Sequence, residues 1–294
     1  MVNTPRNPEG SDPYSDEPYD SRHADPDRVA DPDRQARPWR RIDGTADVAP
    51  KKKASLLRET AIILICVLAL TWVLQTFIGR QYVIPSESME NTLHGCTGCT
   101  NDRIVIDKLV YRWSDPEAGD VVVFKAPTSS WDQGWKSPRS SNTVIRGAQN
   151  AMSWFGFAPP DENNLVKRII ATGGQRVECR NADRTGVKVN GQPLDEPYID
   201  LKLQEENAQM RPGDLKDDTG QLNSCFGADF GPIDVPEGFV WVMGDNRGNS
   251  ADSRYHQDDE LRGMVPVDDI RGKVRYIIYP FSRIGGVDSV DPQK

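Results

Sequence analysis

Ser88 and Lys167 are the residues of this chain whose types and surroundings suit acyl transfer. Ser88 lies in the run Ile84-Pro85-Ser86-Glu87-Ser88-Met89, ten residues beyond an apolar stretch that ends at Ile78. A serine hydroxyl becomes a nucleophile when a neighbouring group takes its proton. Lys167 sits inside a Val/Ile-rich run, residues 165–171 (LVKRIIA). An amine there either turns outward to water or is desolvated. Desolvation lowers an amine pKa from about 10.4 towards neutrality, and the neutral amine is a base. The outward-turned lysine is the commoner fate of a lysine in a strand, and the segment alone leaves both readings open. A third segment, residues 244–254, is Gly-Asp-Asn-Arg-Gly-Asn-Ser-Ala-Asp-Ser-Arg and follows the apolar run at 239–243. A surface turn can have this composition, but so can a loop whose hydrogen-bonding groups position others.

Histidine is the usual partner of a nucleophilic serine. The chain has three: His23 in a polar tail, His94 in a Gly/Cys-rich turn and His256 in a polar stretch. None lies in a strand-like run that would hold it rigidly, so the lysine is the better candidate base. Of five cysteines, Cys66 is in the apolar stretch. Cys179 with Cys225 suits a long-loop disulfide and Cys96-x-x-Cys99 a short one, against the alternative of a four-cysteine zinc site. A single C-x-x-C knuckle is thin support for zinc, and no metal or cofactor is expected.

The elements that must position these groups are legible in outline. Residues 61–78 (AIILICVLALTWVLQTFI) carry no charge. As a helix they reach about 27 Å, close to the hydrocarbon thickness of a bilayer. A core helix of this length would keep a polar face. A cleaved secretory leader would lie nearer the start and be followed by small residues. The expectation is a permanent anchor over residues 56–78. Arg40, Arg41, Lys51, Lys52, Lys53 and Arg58 precede the apolar run, and only Arg80 follows it closely. The positive-inside rule then puts the N-terminus in the cytoplasm and residues 80–294 outside. Residues 1–53 are rich in Pro, Asp, Arg and Ser, with a short repeat at 24–28 and 30–34. They are too poor in large apolar groups to fold alone and read as a disordered cytoplasmic tail.

Residues 80–294 alternate strand-like runs with turn signals: 81–84, 103–108, 120–125, 165–171, 176–179, 187–189, 239–243 and 273–279. Asn190-Gly191 is a tight-hairpin pair. Strands do not alternate with helices, which excludes a parallel α/β sheet. The fold class expected is mainly β, an antiparallel domain behind a single N-terminal transmembrane helix. Residues 141–157 suit an amphipathic helix that packs on the domain or touches a membrane surface. Residues 201–223 are polar and read as a loop. The overall composition, 37% hydrophobic with a net charge of −8, opposes a nucleic-acid-binding role, which needs a concentrated basic face.

Taken together, the anchor, Pro85-Ser86-Glu87-Ser88-Met89, Lys167-Arg168 and the segment 244–254 resemble the bacterial type I signal peptidases. The resemblance runs from the anchor to about Tyr279, and residues 119–124 (GDVVVF) also fit it. It implies that Ser88 is the nucleophile and Lys167 the general base. Ser86 would join the Ser88 N–H in the oxyanion hole, and Ser250 would orient the lysine amine. Asp252 and Arg254 would form a supporting ion pair. Tyr82, Ile84, Leu93 and Val166 would line small substrate pockets, with the substrate extended along Tyr82–Pro85. Gly248 stands where the family often has an aspartate, and Gly173-Gly174-Gln175 replaces a Pro-Gly-Asp turn, departures that bear on loop shape. The implied activity is membrane-bound serine endopeptidase cleavage of secretory preproteins after a small-x-small site, with the lipid bilayer as partner and no nucleic acid. A single-span adhesion module, an inactive protease scaffold and a cytoplasmic self-cleaving repressor were the competing classes. The first gives Ser88, Lys167 and Ser250 no joint purpose. The second is opposed by the presence of both serine and lysine, and the third by the apolar span.

Overall fold

The structure, a computed structural model, describes residues 55–73, 79–132, 134–154 and 161–294. The tail expected over residues 1–53 and the last residues of the expected anchor lie outside these. Within them, the apolar run forms helix α1 (Leu56–Val73), with no buried residue. It is long and apolar enough to cross a membrane.

Two antiparallel sheets follow. In the larger one, strands run in the order β1 (Gly79–Val83), β2 (Arg103–Asp107), β11 (Ile270–Tyr279), β3 (Val121–Lys125), β4 (Asn164–Thr172), β9 (Phe239–Met243) and β10 (Val265–Pro266), with β12 (Gly285–Gly286) also on β11. The smaller sheet has the order β7 (Gln192–Pro193), β6 (Val187–Val189), β5 (Arg176–Cys179), β8 (Phe230–Asp234). Each strand-like run foreseen in the sequence is a strand, its ends within three residues of those expected. Asn190 and Gly191 turn between β6 and β7 with φ of 53° and 80°, the left-handed geometry that this pair favours.

Strand β3 explains the core. Its first four residues, Val121, Val122, Val123 and Phe124, are all buried, and successive side chains point to opposite faces. Val121 and Val123 join a cluster with Ile84, Met89, Leu93, Ile104 and Val274. Val122 and Phe124 join another with Trp131, Ile169, Val240 and Val242. An unbroken apolar run is what a strand covered on both faces requires. A third cluster, including Val177, Phe230, Ile233, Trp241 and Met243, joins the small sheet to β9. The disulfide Cys179–Cys225 lies in it, and Cys96 is bonded to Cys99.

Helix α2 (Thr143–Trp154) falls within the helical expectation for 141–157. The loop expected at 201–223 is a correction: residues Leu201–Met210 form helix α3 and Pro212–Leu215 a short α4. Asp200 caps α3, its side chain accepting from the N–H groups of Lys202 and Leu203. Such a cap contributes about 1 kcal/mol. The inward residues of α3 are Gln204, Asn207 and Ala208. Polar side chains face the protein, so the apolar stripe that marks a packed helix is missing from the sequence.

Candidate active site

Ser88 is carried by a turn that the core fixes from below. After β1, Ile84 N–H donates to the Asp102 carbonyl at 2.9 Å, and a 3-10 turn spans Glu87–Met89. Met89 and Ile84 are sunk in the cluster beneath. Ser88 therefore sits at the mouth of a cleft while its neighbours are held in place. The cleft has a volume of about 460 Å³ and is lined by Pro85, Ser86, Ser88, Leu165, Lys167, Ser250 and Ala251 on the dyad side, and by Glu87, Cys96, Thr97, Arg211, Asn249 and Tyr255 around them.

Lys167 comes from β4, opposite Val122 of β3. It is 4% exposed, so the outward-turned reading of this lysine fails. Its Nζ donates to Ser88 Oγ at 2.7 Å. Burial pushes the amine down to about 8, against the pull of the Asp252 and Asp245 carboxylates, which favour the ammonium. Ser86 Oγ lies 3.4 Å from Ser88 Oγ, close enough to share an oxygen placed between them and the turn. Neither His94 nor His256 bonds the serine. His94 Nδ1 meets Glu90 Oε1 at 2.5 Å, and His256 stacks on Trp131 with its Nδ1 3.3 Å from Ser130 Oγ.

The loop after β9 assembles the rest. Asp252 is fully buried and takes Arg254 Nε and Nη2 at 2.9 Å each, as well as the Gly244 N–H at 3.0 Å. Burial alone would raise this carboxyl; the Arg254 guanidinium and the Gly244 N–H hold it below its ordinary value. Arg254 also donates to the carbonyls of Cys225, Phe226 and Arg247. Ser250 Oγ is buried in the cleft wall without a hydrogen-bond partner. Gly244 allows the close approach: a Cβ there would lie 2.3 Å from Ser250 Oγ and 2.4 Å from the Ser88 carbonyl oxygen.

Further groups position the site and were given no role from the sequence. Asn246 N–H donates to the Ser88 carbonyl at 3.2 Å and its Nδ2 to the Glu87 carbonyl at 3.0 Å. Asn246 Oδ1 in turn accepts from Asn207 Nδ2 at 2.6 Å, and Gln204 Oε1 accepts from Gly248 N–H at 2.7 Å. Arg168 grips Asp245 through Nε and Nη2 at 2.9 and 2.7 Å, with both side chains buried and the Tyr198 ring 4.0 Å from the guanidinium carbon. Adjacent charges at 167 and 168 inside an apolar strand were the available signal: one of them must face inward on each side of the sheet.

The expected pocket residues divide. Pro85 lines the cleft. Ile84 and Leu93 are 2% and 0% exposed in the cluster under the Glu87–Met89 turn, with Tyr82 and Val166 packed half-buried against it. They support the cleft from beneath rather than form its open wall. The ligand atoms of His94, Cys96 and Cys99 lie within 4.8 Å of one another, a grouping with metal-ligand chemistry, but the two sulfurs are joined to each other.

The sequence matches the family model for signal peptidases, peptidase S26, over residues 57–279. It is 51% identical over 247 residues to signal peptidase I of Mycobacterium tuberculosis, covering 82% of this chain and 79% of that one. It is 49% identical over 259 residues to a probable signal peptidase I of Mycobacterium leprae, covering 84% of each, and 30% identical over 233 residues to a probable signal peptidase I of a Synechocystis species, covering 79% and 88%. A match of this length, spanning both β4 and the loop that follows β9, means that the chain belongs to the S26 peptidases and, among them, to the bacterial type I signal peptidases.

Proposed function

We propose that this S26 peptidase is a membrane-anchored serine endopeptidase that removes signal peptides from secretory preproteins, with Ser88 as nucleophile and Lys167 as general base. The observation that carries the assignment is the 2.7 Å hydrogen bond from Lys167 to Ser88 around an amine whose burial brings it to about 8. In the reacting form the lysine is neutral. It takes the Ser88 proton as Oγ attacks the scissile carbonyl carbon, and the carbonyl electron pair moves onto oxygen. The Ser88 N–H and the Ser86 hydroxyl hold that oxyanion. Losing one such donor typically costs about 100- to 1000-fold. The ammonium returns its proton to the leaving amine as the peptide bond breaks. The neutral lysine then deprotonates water as it attacks the ester carbonyl, and the ammonium returns that proton to the leaving Ser88 Oγ, which frees the acid product and restores the enzyme. Ser250, in the same wall of the cleft, holds the amine once substrate excludes water.

The substrate lies extended beside Tyr82–Pro85, adding to the sheet edge. Shallow pockets above Ile84 and Leu93 admit small side chains, which fits a small-x-small site. The chain is arranged as a cytoplasmic tail (1–53), a transmembrane anchor (56–78) and an extracytoplasmic catalytic domain (80–294), as the flanking charges argue. The disulfide Cys179–Cys225 fits an oxidising exterior.

The test is cleavage of a secretory preprotein by the detergent-solubilised full chain beside Ser88→Ala and Lys167→Ala. Cleavage by the parent after a small-x-small site, with both variants folded and silent, is the expected result. Full activity in Lys167→Ala would move the base elsewhere, with His94 or His256 the next groups to consider.

A further inference from the structure

Helix α2 is seated with its apolar side outward. At 100° per residue, Val144, Ile145, Ala148, Ala151 and Met152 share one face about 120° wide. All five are exposed, Val144 at 81%. The side turned to the domain is polar. Gln149 Oε1 accepts from the Ser140 N–H at 2.9 Å, and Ser153 accepts from the Arg80 guanidinium through its carbonyl and its hydroxyl at 3.4 Å. The bonds from Arg80 to Ser153 therefore hold the helix against β1, and its apolar stripe is exposed among the described residues. A contiguous apolar stripe of this kind marks an interaction surface.

The surroundings of the stripe say what covers it. Arg80, which holds Ser153, is the second residue of β1, and β1 begins six positions after α1 ends. Fully extended, that link spans at most about 22 Å. Helix α2 is thus tied to the stem by which the domain joins its membrane-crossing helix. The same stem is basic. Arg80, Arg112 and Arg271 stand near Lys108, whose amine is held below its ordinary value by burial first and then by those three charges. Arg271 pairs with Glu162 and Arg146 of α2 with Asp161. Trp113, beside Arg112, is 80% exposed. An outward apolar helix face, an exposed tryptophan and clustered cations are the components of a surface that lies in an anionic membrane interface.

We propose that α2 is an interfacial helix. Its Val144–Met152 stripe sinks into the headgroup and acyl boundary of an anionic bilayer, beside α1. The inference rests on the reading of α1 as membrane-spanning. Its consequence is geometric: one helix leaves the domain free to swivel about its stem, and a second contact fixes where the cleft faces.

The experiment uses the full chain with Cys66→Ser and one new cysteine, Val144→Cys, Met152→Cys, Asn150→Cys or Leu64→Cys, labelled with nitrobenzoxadiazole. The proteins are reconstituted into phosphatidylcholine–phosphatidylglycerol vesicles, and those that still cleave a soluble peptide are compared. Labels at 144 and 152 are expected to show blue-shifted emission and quenching by doxyl lipids, while the label at 150, on the opposite face, stays in water. If 144 and 152 emit as in water and are quenched by aqueous iodide while 64 remains in lipid, the inference is overturned and the anchor stands. If 64 is in water as well, the anchor reading fails and this one falls with it.

Discussion

Burial of Lys167 and the charge of Asp252 act on the same amine in opposite directions. Desolvation favours the neutral base, while the Asp252 carboxylate favours the ammonium, leaving a value of about 8. The sign of a charge change follows. In Asp252→Asn the group that raises the lysine is gone, and Arg254, 6% exposed, is left as an unpaired cation that lowers it further. The acid limb of kcat/KM on a soluble peptide should therefore move to lower pH, even as the maximum rate falls with the disturbed loop. Breaking the buried pair should also cost about 3–5 kcal/mol in a denaturation curve. At this scale the sequence supplied residue types, and the resemblance supplied roles. Neither contained the depth of Lys167 in the sheet, which depends on β3 and β9 lying on both sides of β4. Nor did they foretell that Ser250 Oγ would be buried without a hydrogen-bond partner among the described residues.

Among the elements, the strands were readable because their chemistry is the ordinary one: β-branched residues over a few positions, ended by Gly, Asn or Pro. The helices are instructive because two of them reverse the usual amphipathic rule. Helix α3 turns Gln204 and Asn207 inward to satisfy the loop that holds the nucleophile turn, and so its sequence reads as a loop. Helix α2 turns its apolar residues outward, so its period is legible but its seat on the domain is not. The inward amides of α3 make it part of the site at one remove. Replacing Asn207 with leucine removes the 2.6 Å donor to Asn246 Oδ1 and leaves that buried acceptor only the longer 3.4 Å bond from Gln204 Nε2, a loss of about 1 kcal/mol. Because Asn246 holds the carbonyls of Glu87 and Ser88, kcat should fall more than KM rises in steady-state measurements on a peptide.

For the molecule as a whole, the two sheets are joined through a core cluster, and within the smaller sheet one covalent link, which also touches the site, ties β5 to the segment before β8. The Cys179–Cys225 disulfide closes a 46-residue separation, and the Cys225 carbonyl accepts from Arg254. Loop closure of that length stabilises by about 4 kcal/mol in the chain-entropy account. A double Cys179→Ser, Cys225→Ser variant should unfold at a clearly lower temperature by calorimetry. Below that transition it should still cleave, because Ser88 and Lys167 are carried by the turn after β1 and by β4 in the larger sheet. Loss of cleavage with no change in unfolding temperature would contradict that division.

The dyad itself is tested most directly by the rate at which an acylating peptide probe modifies Ser88, followed by mass spectrometry as pH is raised through the neutral and mildly alkaline range. A single adduct on Ser88, forming faster as pH rises and levelling off above an inflection near the lysine value of about 8, is the predicted result. An adduct on another residue, or an inflection in the histidine range that Lys167→Ala leaves in place, would contradict it.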